Sequence, residues 1–179
     1  MKPIENWDNV EAIVGGSYPK LPAGGYVCRI VTAREELSKA SGKRMLVFAI
    51  DIAEGEYKDF FLNQFNSRLK TNEKATWGQG GIYRQVVEGD SVGRFKGMIQ
   101  VLEESNKGWV WDWNENNMKG LLVGGLFREE EYIGNDGKVH SNVKCISFLP
   151  VEGIENVAVP EKKCVEPMQQ SGMSEEIPF

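Results

Sequence analysis

Side chains able to do covalent or metal chemistry are sparse in this 179-residue sequence. It holds one histidine, His140, and three cysteines, Cys28, Cys145 and Cys164, which lie far apart without C-x-x-C spacing. A structural zinc ion needs four clustered nitrogen or sulfur ligands, so no metal site is expected. Cys28 and Cys145 read as small buried hydrophobes in strands. Glu129, Glu130 and Glu131 are consecutive. A strand would send them to alternate faces, so they read as the solvated face of an edge strand. The glycines of "WGQGG" are followed by no Gly-Lys-Ser/Thr, which rules out a P-loop. Without a nucleophile–base pair or a metal spacing, neither enzymatic activity nor a cofactor is expected.

Recognition chemistry is better supplied. The densest cluster is "KATWGQGGIYRQ", where Lys74, Trp77, Tyr83 and Arg84 surround three glycines. Cations that track phosphates, together with rings that stack on bases, hold unpaired nucleic acid, and stacking contributes about 1–3 kcal/mol per base. The candidate contacts are Arg29, Arg44, Lys58, Phe61, Asn63, Lys74, Trp77, Tyr83, Arg84, Arg128 and Lys144. Trp77 has two open roles: stacking on a base, or anchoring its loop to the body. Trp109, Trp111 and Trp113 recur at period two beside Asp112 and Glu115. Those acids repel phosphate, so burial against a helix is favoured over base stacking.

Such side chains need a frame. Residues 26–33 are rich in β-formers and predict a strand. Residues 44–55 predict a second, in which Leu46, Phe48, Ile50 and Ile52 alternate towards a core. That parity turns Met45, Val47 and Ala49 outwards beside Arg29 and Arg44, as a flat platform. Residues 57–65 read as a third strand with Phe61 and Asn63 on its outer face. The following stretch reads as a loop with one helical turn at most. Val92, Phe95, Met98, Ile99 and Leu102, spaced by three and four, predict an amphipathic helix with Asp90 or Ser91 as N-cap. Residues 119–133 predict a fourth strand, bulged or bent at Gly124-Gly125. "GNDGK" is a hairpin turn, and residues 139–149 form the fifth strand. A β-rich chain of five strands, with one helix between the third and fourth, has the order of the oligonucleotide/oligosaccharide-binding (OB) barrel. A plain α+β sheet would give the same string.

With 41% hydrophobic and 26% charged residues the composition is that of a globular protein. No apolar run approaches the roughly 18–20 residues that span a bilayer, and the first residues lack a signal-peptide layout. A cytoplasmic protein is expected. Residues 1–150 read as the folded domain. Residues 151–179, with two prolines before the tip and no sustained period, read as a flexible linker and tail lying over or beyond it. Residues 152–179 hold six acids and two lysines, which leaves a net charge of −1 for the rest. The near-neutral body thus permits a local basic face.

The sequence closes on "SEEIPF". Two acids followed by Ile-Pro-Phe suit an apolar pocket with a basic rim. This segment resembles the acidic tip of bacterial and bacteriophage single-stranded-DNA-binding proteins. The body, with phrases such as "YIGNDGKVHSNVKC", looks more like the versions carried by phages and mobile elements. The resemblance implies sequence-nonspecific binding of single-stranded DNA in replication, recombination or repair. It also implies that Glu175, Glu176, Ile177, Pro178 and Phe179 dock replication and repair proteins, and that the chain can assemble as a homo-oligomer. The alternative is an OB-fold adaptor whose tail competes for a host protein's partners.

Overall fold

The computed structural model describes residues 19–165. Five strands, β1 (Gly24–Leu37), β2 (Arg44–Ile52), β3 (Ile82–Val86), β4 (Leu122–Ile133) and β5 (Val139–Leu149), form one antiparallel sheet in the order β3-β2-β1-β4-β5. Helix α1 (Phe60–Leu69) lies between β2 and β3, and α2 (Val92–Ser105) between β3 and β4. The expected count of five strands and the helix between the third and fourth are both present.

One face of the sheet carries the core. Leu46, Phe48, Ile50 and Ile52 alternate along β2 and are buried, joined by Cys28 and Ile30 of β1, Val123 and Phe127 of β4, and Cys145 and Phe148 of β5. Phe95, Met98, Ile99 and Leu102 line the apolar stripe of α2 and join the same cluster. The sheet curls until its two edges approach: Tyr83 on β3 and Phe148 on β5 have ring centroids 4.3 Å apart. No ladder joins these strands among the described residues, so the sheet is open. A 3₁₀ turn, Gln79–Gly81, sits in the gap. A side chain at Gly80 would strike the Val143 carbonyl of β5. One at Gly81 would lie 2.8 Å from the Ile50 carbonyl oxygen of β2.

Several expectations need correction. The segment read as a third strand (57–65) is largely α1, a second helix, and the third strand lies in the stretch read as a loop. Phe61 and Phe65 are four apart, a spacing that fits a helix, and so short an apolar run does not decide between the two structures. Asp51 decides it. Its buried carboxylate accepts the backbone N–H groups of Phe61 (2.9 Å) and Leu62 (3.3 Å), which the first turn of a helix leaves without partners. The bulge in the β4–β5 pair lies in β5, where Ile146 is the extra residue opposite Leu126 and Phe127, and not at the expected Gly124-Gly125 of β4. Ser91 occupies the N-cap of α2, but its side chain makes no capping bond.

The three glutamates are not a solvated edge. β4 runs between β1 and β5, and Glu130 pairs with Arg128 and with Lys144 (3.5 Å). Lys162 reaches Glu129 (3.1 Å) and Glu131 (2.8 Å). Past Pro150 the chain stays on the sheet: Ile154 is buried, and Lys163 forms a parallel bridge with Glu130. No described helix is long and apolar enough to cross a membrane.

Candidate nucleic-acid interface

The face of β1–β2–β3 opposite the core is built in rows of cross-strand neighbours. One row is Thr32, Ala49 and Ile82; the next is Arg34, Val47 and Arg84. Partners in register share a face, so two arginines flank Val47 across three strands. Thr32, Arg34 and Arg84 are exposed, whereas Val47 and Ala49 retain only 3% and 8% of their surface. The expected flat platform is therefore a valley, with its floor buried and its walls basic. Arg34 also bonds Glu36, while Arg84 has no ion-pair partner among the described residues.

Arg34 lies beyond the strand expected over residues 26–33, and β1 runs on to Leu37. Arg29 faces away from the core, so strict alternation along this longer strand would turn Arg34 inwards. Ile30 pairs with Ile50, however, and Thr32 with Ala49, which leaves Val31 as an extra residue. Such a bulge reverses the parity of everything after it. Val31 and its β-branched neighbours carry no sequence mark of the bulge.

Arg29 and Asp51 form the next row along the face. The Arg29 guanidinium donates to Asp59 at 3.1 Å. Asp59 sits at the N-cap of α1 with φ 59°. Burial raises the Asp51 carboxyl above its usual range, while the three backbone N–H groups it accepts act in the opposite sense. Trp77 closes this end. Its Nε1 donates to the Ile50 carbonyl at 3.1 Å, and its ring lies 5.6 Å from that of Phe65. The anchoring role is therefore real. The glycine turn after it is tightly packed, not a free flap. Trp77 nevertheless keeps accessible surface and borders a cavity of about 170 Å³ whose rim includes Arg29 and Lys119. Lys119 was not among the sequence candidates; the bonds from Gly120 N to Ile30 O (2.8 Å) and from Ile30 N to Leu121 O (2.9 Å) bring it there.

Other candidates do not join this face. Phe61 is only 3% exposed and stacks on Phe127 at 6.0 Å, so its expected outer-face role is withdrawn. Tyr83 lies on the core side against Phe148 and donates to Gln85 at 3.1 Å; burial pushes its phenol up to about 12. It too is a packing residue. Asn63 is exposed, on α1 and not on a strand, and Lys58 and Lys74 are exposed beside that helix. Arg44 forks onto Glu35 (2.7 and 3.0 Å) at the far end of β2 and holds that carboxyl below its usual range. Arg128 and Lys144 share Glu130 on the β4–β5 hairpin. Further along this hairpin, half-exposed Tyr132 stacks on His140 at 5.7 Å. Trp109 and Trp111 are partly buried beside α2, with Phe95 6.4 Å from Trp111. Trp113 departs from the expected burial: it is 80% exposed, with φ 64°.

Glu175, Glu176, Ile177, Pro178 and Phe179 lie outside the described residues. Among those described, no three or more His, Cys, Asp or Glu side chains cluster as metal ligands would. No family model matches the sequence, and no curated protein matches it.

Proposed function

We propose that this chain is a non-enzymatic binder of single-stranded nucleic acid. Five antiparallel strands, a helix between β3 and β4, and sheet edges that meet across Tyr83 and Phe148 support an OB-type barrel. The particular reading is a phage or mobile-element single-stranded-DNA-binding protein, cytoplasmic, that serves replication or recombination without sequence preference. Its "SEEIPF" segment recruits partner proteins.

The observation that carries this reading is the Arg34–Val47–Arg84 row, continued through Arg29 to Trp77 and Lys119. Cations above an apolar floor, with an indole at one end, match the chemistry of a phosphate-tracking groove. Fluorescence anisotropy with labelled oligo-dT tests it: tight binding at low salt, weakening as salt rises, is expected. Absence of binding at low salt defeats it. Deleting residues 174–179 should leave that binding intact and abolish capture of repair proteins; equal capture by both chains ends the recruitment claim.

Trp113 favours a second reading, that of an adaptor. An indole exposed beside Asp112 and Glu115 suits a protein partner better than a phosphate backbone. Loss of partner capture in Trp113→Ala, with DNA binding unchanged, would support it.

A further inference from the structure

The cavity beside Trp77 is small and its accessible lining is apolar. It exists because of the bulge in β1: Val31 has no partner in β2, while Ile30 on its other side is bonded to Gly120 and Leu121. The sheet opens there, and Leu62 of α1 and the Trp77 ring form the walls. The polar groups inside already have partners. Asp51 accepts from Ile52, Phe61 and Leu62, and Trp77 Nε1 donates to Ile50. Apart from the cations at its rim, the accessible lining is apolar.

The apolar lining then becomes the selector. An apolar cavity of about 150 Å³ holds one benzene ring, and this one measures about 170 Å³. One six-membered ring with a methyl group fits, and the apolar lining favours a methyl edge over the nitrogen-bearing edges of a purine. Arg29 and exposed Lys119 stand at the rim, where the phosphates on either side of an inserted base would lie.

We infer that the cavity takes one pyrimidine base of the bound strand, thymine above the others, entering by its C5-methyl edge. This rests on the single-strand reading above. The apolar methyl edge goes into the pocket, and the polar edge stays at the open mouth in water, so no polar group is buried unpaired.

Oligo-dT and oligo-dU of equal length isolate the methyl group without the self-stacking that complicates oligo-dA. The wild-type chain should bind oligo-dT about fourfold more tightly, the effect of one buried methyl. Leu62→Trp, which fills the cavity from a partly exposed helix position, should weaken oligo-dT more than oligo-dU and bring the ratio to about one. Leu62→Ala, which removes part of the apolar wall, should also lower the ratio. Misfolding lowers both affinities alike, so a changed ratio cannot come from it. Equal binding of oligo-dT and oligo-dU by the wild type, or a ratio that survives Leu62→Trp, overturns the pocket but leaves strand binding standing. If neither oligonucleotide binds, the single-strand reading fails and takes this inference with it.

Discussion

Asp51 shows how one side chain can fix a local structure that hydrophobic pattern leaves open. It is a fully buried carboxylate in a strand, a placement that is costly unless its oxygens are bonded. Its bonds go to the start of α1, so burial and capping are a single event. Asp51→Ala leaves the Phe61 and Leu62 amides without partners and should destabilise the chain by about 2 kcal/mol. Asp51→Asn retains one acceptor and should cost about half as much. The urea midpoint measures both; a midpoint unmoved by Asp51→Ala would mean that α1 is capped in another way. In the sequence, Asp51 was one acid in an apolar strand, and nothing local marked its role ten residues further on. Phe61 was misplaced for the same reason: its face depends on the helix that Asp51 starts.

Elements were legible where one periodicity dominated. The alternation of β2 and the three-and-four spacing of α2 each point one way, and both structures lie where that pattern puts them. The hairpin turn before β5 was equally plain, because "NDG" is compatible with few backbone paths. What stayed hidden were features made by long-range contact: the Val31 bulge, the seat of the 3₁₀ turn, and the clasp of Lys162 on β4. Two glycine variants separate these kinds of information. Gly81→Ala must push against the Ile50 carbonyl and the Phe61 ring, and should cost about 2 kcal/mol. Gly93 in α2 has open space around its Cβ position, so Gly93→Ala should stabilise by up to about 1 kcal/mol. Thermal melts of the pair should move in opposite directions; a melt not lowered by Gly81→Ala would refute the packing of the turn.

The clasp has a pH signature. Lys162 lowers the carboxyls of Glu129 and Glu131, and Arg128, with Lys144 behind it, lowers that of Glu130. Acids whose folded pKa lies below the unfolded value of 4.5 contribute stability above that value and lose it as pH falls through the folded pKa. Acidification from about pH 5 to about pH 3 should therefore release the segment around Lys163 from β4 before the sheet unfolds. Hydrogen exchange at the Glu131 and Lys163 amides, which bond across this junction, would detect the release. Lys162→Ala should show it already at neutral pH. Equal protection of these amides in both chains at neutral pH would show that the backbone bridge holds without the ion pairs.

The molecule as a whole binds by arrangement, not by net charge. Residues 19–165 contain twenty basic and twenty acidic side chains, and the excess of five negative charges lies outside them. A body of zero net charge attracts a polyanion only where cations are grouped, and several of these cations are already matched: Arg44 by Glu35, Arg128 and Lys144 by Glu130, Lys162 by Glu129 and Glu131. The valley and its cavity end offer four, Arg29, Arg34, Arg84 and Lys119, two of them with a carboxylate to exchange for phosphate. Each phosphate neutralised on a single strand contributes about 0.7 to the slope of log K against log salt, so the full chain should give a slope of about −3. Exchanging Arg34 and Arg84 for Ala should halve it. A slope near −6 would instead bring in Arg44, Lys58 and the β4–β5 hairpin, and the strand would then wrap the sheet rather than follow the valley. Titration of labelled oligo-dT across a salt series distinguishes the two paths, because each path fixes its own number of released counterions.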